Sequence, residues 1–177
     1  MKILNLNAIA KYKYKLPCVD PRGIESIGLD VQRGASLQKY ASKVDGALLA
    51  FSSREDVRTE VQTPFGFSID CEMILDKDMN AYPMADVPTL SDILADANLK
   101  LCPEGCTRFA FLYAPYSDTI TNSDNEVVGH RQIASEILRN IGYKVVFLPE
   151  PMISRETTSS GLNNRIKQLI RTSQSNN

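Results

Sequence analysis

The spacing of apolar residues changes along this chain, and each change marks an element. Leu37, Tyr40, Ala41, Val44, Leu48 and Phe51 recur at helical spacing, which predicts an amphipathic helix over roughly 36–52. Gly46 inside it costs about 1 kcal/mol relative to alanine. Val57 to Thr63 then alternates as a strand, Pro64-Phe65-Gly66 turns the chain, and Phe67 to Leu75 reads as a second strand, so the pair predicts a hairpin. Regular alternation places Phe67, Ile69, Cys71, Met73 and Leu75 on one face of that strand and Ser68, Asp70 and Glu72 on the other.

Residues 76–107 break the rhythm. They are acidic, carry Pro83, Pro88 and Pro103, and hold one short helix, which Thr89 and Asp92 cap ahead of Leu90, Ile93, Leu94 and Ala97. The segment reads as an insertion that decorates the domain. Arg108 to Ala114 is nearly all apolar, as a central strand buried on both faces should be. A polar loop over 117–128 leads to the stripe Ile133, Ala134, Ile137, Leu138 and Ile141, which stops at Gly142. Tyr143 to Leu148 predicts a further buried strand closed by Pro149 and Pro151. A last helix over about 160–171 carries Leu162, Ile166, Leu169 and Ile170 on one side. Helix, hairpin, insertion, strand, helix, strand, helix implies an α/β domain with a mixed β-sheet flanked by helices. The expected division is an arm over 1–34, a domain over 35–172 and a polar tail over 173–177.

Composition adds bounds. At 177 residues, 43% hydrophobic and 23% charged, the chain suits one globular domain. No apolar run approaches the ~20 residues that span a bilayer, so no membrane partner is expected. The formal net charge of -1 hides an asymmetry, because residues 128–177 carry seven basic and three acidic side chains. That excess suits an anionic partner, although charge alone favours solvated helix faces. The stretch before Asp20 has lysines and no acid, as targeting segments do, but it lacks arginine and serine up to Val19.

Candidate chemistry is sparse. Cys102 and Cys106, with Cys18, Cys71 and a single histidine, make a poor zinc pattern and read as reduced thiols. His130 sits at a helix start, where a surface or capping role outweighs acid–base work. No phosphate-cradling glycine loop occurs. No cofactor, metal or small-molecule substrate is expected.

Two segments carry a family resemblance. Gly66-Phe-Ser-Ile-Asp70 looks like a strand bearing a small-apolar-Asp pattern after a glycine turn. Phe109 to Pro149 supplies an apolar strand, a helix ending Ile-Leu-Arg-Asn-Ile-Gly142, and Tyr-Lys-Val-Val-Phe-Leu-Pro. Together they resemble the RAP domain, within the PD-(D/E)xK nuclease-like fold, over about 110 of the 177 residues. That resemblance implies a restriction-endonuclease-like αβββαβ core. It departs from the family after Pro149, where Glu150, Pro151 and Met152 follow and no tryptophan occurs. In the active fold, an Asp on the second strand works with an acid and a Lys two positions apart on the third, holding a divalent metal. Asp70 matches the first position, whereas the other two fall on Leu112 and Ala114. The resemblance therefore implies a vestigial site and a protein that is not an enzyme, with a metal-dependent nuclease as the lesser alternative.

What remains is binding. Lys11, Lys13 and Lys15 interleave with Tyr12 and Tyr14, a pattern suited to phosphates and unpaired bases as well as to an extended arm against a protein. Arg131, Arg139, Lys144, Arg165, Lys167 and Arg171 are the other RNA-binding candidates. RAP-domain proteins are largely organellar and act on RNA. The resemblance thus implies a mitochondrial accessory subunit contacting RNA, ribosomal RNA first, and neighbouring protein subunits of a large complex. The short chain fits a resident subunit better than a reader of specific RNA sequences. A protein scaffold in another organellar complex is the competing expectation.

Overall fold

In the computed structural model the chain divides into Met1–Asp30 and Val31–Asn177. The structure describes residues 35–50, 52–96, 98–119, 127, 130–156 and 158–175, all within the second unit. The Lys11–Lys15 arm and Cys18 lie outside the described residues.

Five strands form one mixed sheet: β1 Val57–Gln62, β2 Ser68–Asp76, β3 Ala81–Tyr82, β4 Cys106–Ala114 and β5 Lys144–Pro149. The order across it is β1-β2-β4-β5, with the short β3 also paired to β2. β1, β3 and β4 run antiparallel to β2, while β5 runs parallel to β4. Among the described residues, helices α1 Ala35–Leu49, α2 Leu90–Ala95, α3 His130–Ile141, α4 Glu150–Arg155 and α5 Ser159–Ser175 accompany the sheet. The fold is α/β with helices flanking a mixed sheet, in an order compatible with a nuclease-like core.

Two apolar layers hold it. On one side Val44, Ala47 and Leu48 of α1 and Leu162, Ile166 and Ile170 of α5 pack on Met73, Phe109, Phe111, Tyr113, Val146 and Leu148. Asn163 fastens the two helices by donating to the Ala47 carbonyl at 3.1 Å, and Lys43 donates to the Ile153 carbonyl at 2.9 Å. On the other side Leu90 and Leu138 cover Ile69, Ala110, Leu112 and Val145. Gly142 ends α3 at φ +115, where its amide donates to the Leu138 and Arg139 carbonyls, a closure that a side chain would strain.

Several expectations change. The segment 76–107 is part of the core: Met84, Val87 and Leu90 are buried, and α2 with its Thr89 cap lies on the sheet. Its apolar residues are separated by prolines and lose any period, which is why the burial left no pattern. The prolines do more than close β5: Pro149 caps α4 and Pro151 sits in its first turn, where a proline needs no amide hydrogen and already has helical φ. The final helix runs to Ser175, so 173–175 are helical and not tail. Ile133 stands exposed on α3, outside the buried stripe.

Candidate functional site

Two of the carboxylates on β2, Asp70 and Glu72, have opposite fates. Pairing runs from Asp76↔Cys106 to Cys71↔Phe111 and ends there. One step on, the Tyr113 amide donates to Asp70 Oδ2 at 2.7 Å, a side chain taking the place of a backbone carbonyl. The other flank of Asp70 is irregular too. β1 pairs through Thr59↔Cys71 and Val61↔Ile69, but Glu60 between them has φ +55, a left-handed conformation that costs a non-glycine residue about 1 kcal/mol or more. Both strands leave the regular ladder at the Asp70 level.

This irregularity overturns the expected faces of β2. Cys71, Met73 and Leu75 face the α1–α5 layer, whereas Ile69 joins Ala110 and Leu112 on the opposite side. Asp70 lines a cavity of about 140 Å³ together with Asp45, Thr59, Glu60, Cys71, Phe111 and Tyr113. The Cys71 thiol donates to Asp45 Oδ1 at 3.1 Å. Among the described residues the buried Tyr113 hydroxyl has no hydrogen-bond partner, and its ring stacks on Tyr40 at 6.1 Å. Burial, then the Glu150 carboxylate, pushes the Tyr113 phenol well above its ordinary range. Arg131, at the start of α3, lies 3.5 Å from Asp70 Oδ2 and 3.4 Å from Asp118 Oδ2. It ties α3 to β2 and to the 3-10 turn Tyr116–Asp118.

Leu112, the position the resemblance assigns to the acid, is buried in the layer opposite the cavity, and Ala114 is fully buried at the strand end. The β4 residues beside Asp70 are Phe111 and Tyr113. A register shifted by one would therefore fit the geometry better, and that pair also lacks a carboxylate and a lysine. Among the described residues no three His, Cys, Asp or Glu side chains group to hold a metal.

Glu72, two positions along, is fully buried. Its Oε1 accepts from Arg108 Nε at 2.7 Å and from the Tyr143 hydroxyl at 2.6 Å, and Arg58 lies 3.8 Å from Oε2. The two arginines reach onward into the 84–101 segment. Arg58 donates to the Met84 and Val87 carbonyls, and Arg108 donates to those of Pro88 at 2.9 Å and Leu101 at 3.0 Å. Arg108 also lies over the Tyr143 ring, 5.3 Å from its centre. Burial, and next the Glu72 charge, holds the Tyr143 phenol far above its usual value. Glu72 is thus the hub of a clasp on the opposite side from the Asp70 cavity. Arg108 is the one charge in the apolar strand β4 and so calls for a buried counter-ion, a sequence signal that could have pointed to Glu72 on the neighbouring strand.

The basic candidates are spread over the surface. Arg131 and Arg139 mark opposite ends of α3, about 12 Å apart along its axis. Arg139 lies over the Phe147 ring at 6.0 Å and shares a groove beside β5 with Lys144. Arg165 donates to Gln168 at 2.9 Å, and Lys167 and Arg171 follow on α5. Lys144 and Arg139 are brought together; Arg131 is engaged with carboxylates elsewhere.

Residues 1–83 match the family model of FAST kinase-like protein, subdomain 2. The match covers under half of the chain and meets the RAP-like segments only over 66–70. No curated protein matches this sequence.

Proposed function

We propose that this chain is a non-catalytic, RNA-binding accessory subunit of a mitochondrial ribonucleoprotein, the mitochondrial ribosome being the first to test. The observation that carries the reading is the match to a FAST kinase-like subdomain, from a family associated with RAP domains and typically mitochondrial. It agrees in kind with the RAP resemblance, which rests mainly on residues outside the match, Phe109 to Pro149. The lack of catalysis is supported by β4, which sets phenylalanine and tyrosine beside Asp70 where metal-assisted hydrolysis needs a second carboxylate and a lysine.

The test is ultraviolet crosslinking of the full chain in isolated mitochondria, followed by sequencing of the bound RNA and mapping of crosslinked peptides. Ribosomal RNA joined to peptides of the arm or of 131–171 is the expected result. Recovery of the chain in a nuclease-resistant protein complex without RNA would favour a scaffold. Magnesium-dependent RNA cleavage that disappears in Asp70→Ala would overturn the non-catalytic reading.

A further inference from the structure

β5 is the last strand of the sheet and, among the described residues, pairs with β4 alone. Such an edge leaves backbone amides and carbonyls without strand partners. Here the edge lies at the bottom of a groove of about 580 Å³. Its floor is the chain from Gly142 to Phe147, one wall is Arg139 of α3, and the other is Leu169, Thr172 and Ser173 of α5. Lys144 and Pro149 stand at the two ends of the strand, features that blunt indiscriminate pairing and leave Val145 to Leu148, among the described residues, as the stretch without a second strand partner.

We propose that this groove binds an extended acidic segment of a partner protein, added to the sheet as a strand beside β5. The backbone edge supplies affinity, and the two unlike walls select side chains that alternate along the added strand. Arg139 is the charged residue of the two helical walls, and it is positive. Acidic residues therefore fit toward the α3 wall, and apolar ones fit toward Leu169. A second copy of this chain would bring the same positive rim against itself, and the Lys11–Lys15 arm is positive as well. Single-stranded RNA is served less well, because stacking needs an open aromatic face. The Phe147 ring already carries Arg139, and Tyr143 is buried.

The test is amide hydrogen exchange on the full chain with three probes: a heptapeptide alternating Glu and Val, its Lys and Val counterpart, and a decamer of uridylate. The Glu-containing peptide is expected to slow exchange within 143–148. Arg139→Glu, at an exposed position, is expected to weaken that peptide by about tenfold while leaving the melting temperature unchanged. Four results would overturn the proposal: no protection by either peptide, equal protection by both, protection of the same amides by uridylate alone, or protection that grows with the concentration of the chain itself.

Discussion

Asp70 and Glu72 are neighbours on one strand, both carboxylates, both held by arginine, and they hold different parts of the molecule. Glu72 is fully buried and gathers two arginines and a phenol, and the arginines in turn hold the backbone of 84–101. Asp70 keeps partial contact with water, replaces one rung of the sheet and takes Arg131 at the rim of a cavity. The difference teaches that position along a strand, without knowledge of its local regularity, does not tell which carboxylate is structural. Exposure sets the energetic scale: a buried ion that loses its partner costs several kcal/mol, and a rim pair costs little.

The sharpest way to break the comparison is Glu72→Ala, which leaves Arg108 buried without its counter-charge. Urea denaturation should show a loss of about 3–5 kcal/mol, and proteolysis should begin within 84–101. Replacing both members, with Glu72→Leu and Arg108→Met, should cost less than Glu72→Ala, since no uncompensated charge remains. If the double variant is the weaker, the carbonyl contacts outweigh the ion pair.

Tyr143→Phe comes next, with an expected loss of about 1.5–3 kcal/mol for a hydrogen bond to a charged group. It has a pH counterpart. The folded state raises the Tyr143 phenol above its unfolded value near 10. The unfolded chain therefore gives up this proton first as alkali is added. Stability is fully present below pH ~10 and falls as pH rises beyond it, a slope that Tyr143→Phe should reduce. A stability curve flat to pH ~11 would remove Tyr143 from the clasp.

Asp70→Ala should cost about 1–3 kcal/mol, the penalty for leaving the Tyr113 amide unsatisfied. Asp70→Asn keeps an acceptor there and should recover most of it in thermal unfolding. Smallest of all is Arg131→Gln, under about 1 kcal/mol at low salt and less at high salt, as expected of a partly exposed pair. An effect of Arg131→Gln as large as that of Glu72→Ala would erase the distinction between the two sites.

The sequence announced the elements far better than the site. The Arg108–Ala114 strand and the helix ending at Gly142 stand where their periods put them, because burial of one face or two leaves a trace in residue order. The irregularity at Asp70 left none: its strained partner is a glutamate, where a glycine would have signalled it. Arg131 meets Asp70 from 61 positions away, a contact that local pattern cannot reveal. Without the irregularity, alternation assigned Glu72 to the same face as Asp70, whereas the two face opposite layers.

The pairing of α1 with α5 has a consequence in time. Asn163 reaches Ala47 across 116 residues, and the same apolar layer contains Val44 and Ile170. During synthesis α1 therefore waits, its apolar stripe uncovered, until α5 emerges. Contacts of such sequence separation slow folding and lengthen exposure to aggregation. A chain truncated before α5 would leave that stripe bare for good, and should be retained by chaperones instead of folding as a smaller domain.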